Sequence, residues 1–388
     1  MIVNDYTFTP SKKKTLDFFF YAAISYPLIV LYIIPYGLIP HFKIFLPLLV
    51  AIFGLQLVLV KQKKQNWFDW LLSISIISTA IIRFYYTSTD TAIEGLGMAL
   101  LVSMLLLNCR EEKRINNFFA NLMYYPAFAS IIFQLRTSYL NNTGTGEERL
   151  VLGVSHTEAN LSSLFILIFF FFCLKNNFKI GSIFCLGSSV LFMSRGYALA
   201  LVVFFIIWAF EKKIFKYLSK INFATLFIGA NILLIIFSIF WANNINPVFQ
   251  SGEVTGIERL RALNDNSNYV RFALNRDIIT LFMNDLELAT WGFPYNYGEA
   301  IIKAIGKPPH NSLLSFVATN GVLLSVLYFV IFIKIVQRFY NKENLKYILS
   351  YLTFSLFLYG AFNPVTGVGF VVMLTLAERK NKLKIRLF

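Results

Sequence analysis

His310 stands in the stretch KPPHNSLL, residues 307–314, directly before a run of apolar residues. It is one of 3 histidines in the chain, and Asn311 and Ser312 follow it. A helix that begins here would place its positive amino-terminal end beside the imidazole and favour the neutral form. A neutral imidazole can accept a proton from a hydroxyl group. His310 is therefore a candidate general base, and a structural histidine capped by Asn311 is the alternative.

A second group of candidates is the arginines that lie outside the basic clusters: Arg83, Arg136, Arg149, Arg195, Arg259, Arg261, Arg271 and Arg276. A guanidinium stays charged at any pH and binds phosphate oxygens in two places at once. For Arg149, Arg259 and Arg261, ion pairs with nearby acids are an equal alternative. A charge inside a bilayer costs about 2.5–3.5 kcal/mol, so an arginine within an apolar stretch usually has a function.

Arg195 is the clearest of these arginines because it lies in FMSRGYALAL, between two short apolar segments. Gly196 can break the helix there and let the guanidinium point into a cavity. Arg136 lies about one turn from the end of its apolar stretch, from where its side chain can reach the interface. Arg83 and Arg136 are supporting candidates for an anion site.

These residues must be positioned by membrane helices, because 57% of the 388 residues are hydrophobic and only 14% are charged. Apolar stretches of about 18 residues or more recur along the chain, as membrane-spanning helices require. The pattern predicts an all-α polytopic membrane protein, with a single domain over residues 1–388. Twelve helices are predicted, at 16–34, 43–60, 67–86, 92–108, 118–140, 157–174, 180–193, 197–210, 222–242, 311–333, 347–361 and 365–376.

The net charge of +15 follows the predicted topology. With the amino terminus inside, 24 of the 35 lysines and arginines fall on the inner side, at 1–15, 61–66, 109–117, 175–179, 211–221, 334–346 and 377–388. This is the positive-inside distribution, so both termini are predicted to be cytoplasmic. The charge therefore indicates orientation in a membrane and does not indicate a nucleic-acid partner.

Residues 243–310 form a long outer loop, which exceeds what a simple connection needs. Its segment NDNSNYVRFALNRDIITLFM has apolar residues at three- and four-residue steps, which predicts an amphipathic helix. This helix would lie over the outer mouth of the bundle and carry Arg271 and Arg276. The aromatic stretch that follows, LATWGFPYNYGEA, has a turn signal at Gly292 and could stack on sugars or form part of the interfacial belt.

The order of these motifs is informative. The SRG break at 194–196 precedes YVRFALNRDIITLFMND and WGFPYN in the loop, which ends on HNSLLSFVATNGVLLSVLYF. This order resembles the O-antigen polymerase and O-antigen ligase superfamily of bacterial envelope glycosyltransferases. The resemblance covers residues 155–335 at motif level. Two features depart from the family pattern: Asn320 precedes Gly321 where members often have an acid, and the usual Gly-x-Gly of the loop is reduced to Trp291-Gly292-Phe293.

The resemblance implies a GT-C-like membrane fold and a metal-independent, inverting transfer of glycan from undecaprenyl pyrophosphate, with no cofactor. Arg195 and Arg271 would bind the donor pyrophosphate, and His310 would activate or orient the acceptor hydroxyl. The supporting candidates are Arg276, Asn311, Arg136 and Arg83. The implied partners are undecaprenyl-pyrophosphate-linked glycans, membrane lipids, a chain-length regulator and a flippase. The implied location is the bacterial inner membrane, with the active face in the periplasm.

The expected activity is polymerisation of O-antigen or capsular repeat units on the outer face of this membrane. An O-antigen ligase, which passes finished glycan to lipid A–core, is the nearest alternative, because its donor and chemistry are alike. A lipid-linked oligosaccharide flippase is a second alternative, but it would need matched halves, and the sequence shows no internal repeat. A polyprenyl-monophosphate-sugar transferase would carry an acidic motif in its first outer loop, whereas residues 35–42 contain no acid.

Overall fold

The computed structural model describes residues 48, 50–52, 66–87, 90–108, 112, 114–145, 150–152, 159–192, 194–244, 266–292, 311–357, 361–362 and 364–379. The all-α prediction is confirmed for this part of the chain. Its helices are α1 (Trp67–Thr87), α2 (Asp90–Asn108), α3 (Asn117–Thr145), α4 (Ala159–Asn176), α5 (Lys179–Phe192), α6 (Arg195–Ala209), α7 (Glu211–Leu218), α8 (Phe223–Asn244), α9 (Asn266–Asn284), α10 (Leu286–Trp291), α11 (Ser312–Arg338), α12 (Leu345–Phe357) and α13 (Pro364–Thr375).

Four of these helices are long and apolar enough to cross a membrane, by length and composition: Trp67–Tyr86, Asn117–Leu140, Phe223–Phe240 and Ser312–Arg338. Ten of the predicted helices coincide with α1 to α6, α8 and α11 to α13. The predicted helices at 16–34 and 43–60 lie outside the described residues, apart from helical residues 48 and 50–52. The total of twelve spans and the GT-C-like fold stay predictions.

The centre of the bundle is α4. Every side chain from Leu164 to Phe172 is at most 5% exposed, on all sides of the helix. A helix that is apolar all round is buried among other helices or in lipid, and here helices cover it. By contrast, only 22% of the apolar stretch Phe223–Phe240 in α8 is buried, and the side chains of Leu233 and Ile236 are exposed. The helix α8 therefore lies at the edge of the bundle.

A buried acid joins three helices on the side predicted to face the cytoplasm. Asp69, in the first turn of α1, lies 2.5 Å from the Nζ atom of Lys334 and 2.7 Å from a guanidinium nitrogen of Arg338. Arg338 also donates a hydrogen bond of 2.7 Å to the carbonyl oxygen of Leu106, near the end of α2. Two charges that the sequence assigns to membrane orientation thus also hold α1, α2 and α11 together.

Lys175, at the end of α4, is fully buried on the same side. Its ammonium group donates to Oδ1 of Asn344 at 2.7 Å and to the carbonyl oxygen of Leu376 at 2.6 Å. The side-chain amide of Asn344 donates in turn to Glu112 at 2.7 Å. These bonds connect the segment after α13 and the turn before α12 to the central helix. The candidate site lies at the opposite ends of the helices.

Candidate functional site

The helix that follows His310 is broken at Gly321. This glycine has φ 74° and ψ 162° inside α11. Such a conformation is essentially restricted to glycine. It divides α11 into a short arm, residues 312–320, and a long arm, residues 322–338. The prediction of one continuous helix over 311–333 is therefore corrected.

The two arms fold towards one another. The rings of Phe316 and Tyr328 stack with their centroids 4.5 Å apart, and the rings of Phe316 and Phe329 are 5.2 Å apart. In a straight helix, a separation of twelve residues corresponds to a rise of about 18 Å. The short arm therefore does not continue along the axis of the long arm, and its amino end is set by its own contacts.

Gly292 and Gly321 meet backbone to backbone at the break. Gly292 ends α10 with φ 80°. A Cβ atom on Gly292 would lie 2.6 Å from the backbone nitrogen of Gly321, and one on Gly321 would lie 2.6 Å from the carbonyl carbon of Trp291. Neither distance leaves room for a side chain. We call this contact the glycine junction, and it requires glycine at both positions.

Arg83 lies beside the glycine junction and is 1% exposed. Its Nε atom donates to the carbonyl oxygen of Trp291 at 3.0 Å, and an Nη atom donates to that of Thr319 at 2.6 Å. These carbonyls belong to the last turns of α10 and of the short arm, where helix carbonyls lack partners and carry partial negative charge. One guanidinium thus binds two helix ends, and we call this arrangement the arginine clamp. The ring of Tyr86 covers the ring of Trp291 at 5.3 Å.

Asn311 caps the other end of the short arm. Its Oδ1 atom accepts a hydrogen bond of 2.9 Å from the backbone N–H of Leu314. The side chain is fully buried, and its Nδ2 atom has no hydrogen-bond partner among the described residues. The predicted start of the helix is confirmed. His310 itself lies outside the described residues, so its role as a base stays a prediction.

Arg195 is the first residue of α6. Ser194 caps this helix, since its side chain accepts a hydrogen bond from the backbone N–H of Tyr197 at 3.4 Å. The predicted break between the two helices is present, but Ser194 marks the boundary, because Gly196 lies within the first turn of α6. Arg195 is partly exposed at the positive end of its helix. An arginine gains nothing from the helix dipole at this position.

The helix α12 connects the amino end of α6 with the amino end of the short arm. Phe354 lies against the first turn of α6, where a Cβ on Gly196 would be 3.9 Å from its ring. One turn earlier, the hydroxyl of Tyr351 donates to the carbonyl oxygen of Ala361. The backbone N–H of Ala361 donates to Oγ of Ser312 at 3.1 Å. Both helix amino ends therefore flank the same end of α12.

The predicted helix of the outer loop is confirmed as α9. Its buried residue Ile278 forms a cluster with Leu314 and Ala318 of the short arm, and Ile235 of α8 packs against this cluster. The helix is therefore seated on the short arm and on the outer part of α8. It continues into α10 after the single residue Asp285, whose side chain caps α10. The sequence did not predict the helix α10, which ends at Gly292, where the sequence indicated a turn.

The two arginines of α9 differ in what the structure describes. Arg276 forms an ion pair with the adjacent Asp277 at 2.8 Å. Arg271 belongs to α9, but its side chain lies outside the described residues, and its role stays a prediction. Arg136 lies on α3 with an exposed side chain. Among the candidates, Arg83 and Asn311 bind opposite ends of the short arm, and Arg195 lies across the end of α12.

No group of three metal-ligating side chains occurs in the part of the chain that the structure describes. Cys173 and Cys185 are buried and carry free thiols. The expectation of metal-independent transfer stays a prediction.

No family model matches this sequence, and comparisons with curated proteins and with solved structures find no match either. A function must therefore be inferred from the residues and their geometry. Two positive helix ends lie beside α12, and a function has to explain both of them. One begins with Arg195, and the other is preceded in the sequence by His310.

Proposed function

We propose that the protein is a membrane-embedded polysaccharide polymerase that joins undecaprenyl-pyrophosphate-linked repeat units. One observation carries this proposal: the amino ends of α6 and of the short arm flank the same end of α12. The first brings the guanidinium of Arg195, and the second brings Asn311 and, one residue before it, His310. Arg195 would bind the diphosphate and His310 would take a proton in the same reaction.

The donor pyrophosphate is assigned to Arg195. The amino end of a helix attracts anions, and the guanidinium of Arg195 adds positive charge and N–H donors at the same place. Negative charge grows on the pyrophosphate as its bond to the sugar breaks, and fixed positive groups stabilise that charge. Arg271 of α9 would supply a second guanidinium, and the membrane-embedded tail of the donor would lie along apolar helices such as α8.

The acceptor sugar hydroxyl is assigned to His310. The oxygen of this acceptor hydroxyl forms a bond to the anomeric carbon of the donor glycan. It approaches from the face opposite the pyrophosphate, so the configuration is inverted. The bond from that carbon to the pyrophosphate oxygen breaks, and the electron pair leaves with undecaprenyl pyrophosphate. An imidazole nitrogen of His310 takes the hydroxyl proton, which typically contributes about 10²–10⁴-fold to a rate.

A deletion strain tests this proposal. The strain is complemented with the wild-type gene or with His310→Ala, and its surface glycan is separated on a gel. We expect the wild type to restore a ladder of chain lengths, and His310→Ala to leave single repeat units attached although the protein accumulates in the membrane. Loss of all attached glycan in the deletion strain would instead indicate a ligase.

A purified sample separates the polymerase from a flippase. In detergent, a polymerase lengthens a lipid-linked repeat unit, whereas a flippase forms no new bond. We expect products of two or more repeat units together with released undecaprenyl pyrophosphate. Absence of both products with the strain's own lipid-linked repeat unit would contradict the proposal.

A further inference from the structure

We propose that Arg83 is a positioning residue, which fixes the positions of the short arm and of α9 and does not bind the donor. The arginine clamp is the observation that assigns this role. Arg83 belongs to α1, whereas its two acceptors, the carbonyls of Trp291 and Thr319, belong to α10 and α11. This inference rests on the proposed function for its effect on catalysis, but its effect on structure can be measured separately.

Burial of the guanidinium argues against contact with substrate. Arg83 is 1% exposed, and its fork points at backbone oxygens of the protein itself. On the neighbouring helix, a Cβ on Gly95 would lie 3.0 Å from an Nη atom of Arg83, so α2 closes that side. The partly buried Glu94 lies on the same helix, one residue before Gly95. The group is therefore enclosed by protein.

The fork of arginine suits this position because the two carbonyls end different helices. Its planar group holds several N–H donors in fixed directions and can satisfy both oxygens at once. A lysine in the same place carries one compact ammonium group, which is more strongly hydrated than a guanidinium. It would bind one helix end well and leave the other without a charged partner.

The arginine clamp determines where the candidate catalytic groups sit. Thr319 is near the carboxyl end of the short arm, and Asn311 caps the amino end of the same arm. The helix α9 packs on this arm through Ile278 and is continuous with α10, which ends at Trp291. A shift at the arginine clamp would therefore move the start of the arm, next to His310, and the helix that carries Arg271. A misplacement of about 1 Å can cost about 10²-fold in rate.

The experiment compares purified wild type, Arg83→Lys and the control Arg114→Lys, which changes an exposed arginine on the predicted inner side. Hydrogen exchange is measured by mass spectrometry in detergent. In Arg83→Lys we expect about tenfold faster exchange in residues 286–292 and 312–321, because a charged hydrogen bond is weakened. We expect no change in α12, and no change anywhere in the control.

Kinetics with the lipid-linked repeat unit then separate positioning from binding. A positioning role predicts that Arg83→Lys lowers kcat about 10²-fold. The KM for the donor and the inhibition by inorganic pyrophosphate should change only a few-fold, because Arg195 stays in place and only the helix that carries Arg271 shifts. Weaker pyrophosphate inhibition with unchanged exchange would show that Arg83 binds the donor, and would overturn the proposal. Exchange and kinetics equal to wild type would overturn it as well.

A second variant allows the test to be completed if Arg83→Lys does not fold. Gly95→Ala keeps the arginine but would press a methyl group against its Nη atom, so we expect smaller changes of the same kind. If neither variant alters exchange in residues 286–292, the proposal is wrong. If the wild type extends no glycan, the proposed function fails, while the exchange data still decide the structural role of Arg83.

Discussion

Arg83 and Asn311 bind opposite ends of the same short arm. Arg83 donates to the carbonyl oxygen of Thr319 at 2.6 Å, and Asn311 accepts from the N–H of Leu314 at 2.9 Å. The arm between them is only residues 312–320, because Gly321 ends it. So short a helix is not stable alone. Its orientation depends on these two end groups and on the helices that it touches.

Gly321→Ala should destabilise the protein. Alanine is strained at φ 74°, ψ 162°, at a cost of about 1–3 kcal/mol, and its methyl group would collide with the backbone of α10. Thermal unfolding in detergent measures the loss. Gly229→Ala on α8 is the matched control, since a Cβ there meets no atom within 4 Å. Equal melting temperatures for the two variants would contradict the glycine junction.

Arg195→Ala should abolish chain lengthening, with a loss of at least about 10²-fold, because a charge-stabilising donor is removed from the leaving group. Arg195→Lys should restore activity only in part, since lysine lacks the planar fork. Glycan ladders on gels measure activity, and immunoblots of membranes check abundance. Full activity of the lysine variant would reduce the role of Arg195 to simple charge.

Arg271→Ala should give the same phenotype as Arg195→Ala if both arginines hold the pyrophosphate. Arg276→Ala should have a smaller effect, because that guanidinium already pairs with Asp277. The glycan ladder distinguishes the two variants in one strain background. An unchanged ladder for Arg271→Ala would remove Arg271 from the donor site.

Asp69→Asn should lower the free energy of unfolding by about 3 kcal/mol. It leaves the positive charges of Lys334 and Arg338 without their acid, whose side chain is 3% exposed. Lys342→Gln is the comparison, because the pair of Lys342 with Glu211 is longer, at 3.6 Å, and more exposed. The exposed pair should contribute at most about 1 kcal/mol. Denaturation in detergent provides both values.

The free energy of unfolding should fall as the carboxylate of Glu378 is protonated, at a pH below about 4.3. Burial raises the pKa of this carboxyl, but the charge of Lys346 and the hydrogen bonds from Lys346 and Tyr347 act more strongly together, so its pKa lies below the ordinary value. A lowered pKa stabilises the folded state above the unfolded value of about 4.3, and this contribution is lost as the pH falls through the folded pKa. Melting temperatures of wild type and Glu378→Gln should therefore converge as the pH falls below the unfolded value of about 4.3, and a constant difference would contradict the assignment.

The sequence by itself determined the helical class, the positions of most helices and the helix in the outer loop. Hydropathy is a local property, so stretches such as Phe223–Asn244 are readable without knowledge of their neighbours. Cap residues are local as well, which is why the start of α11 after His310 was predicted correctly. The distribution of lysine also predicted which helix ends share a side.

Only the tertiary structure decided the break at Gly321 and the partners of Arg83. A single glycine in an apolar stretch is compatible with a continuous helix, so the pattern around Gly321 gave no sign of a break. The break exists because Gly292, 29 positions earlier in the sequence, packs against it. Such a contact depends on backbone atoms that every residue has. Glycine at both positions permits the contact, but only the packing of α1, α10 and α11 shows that the two glycines meet and that a buried arginine binds helix ends.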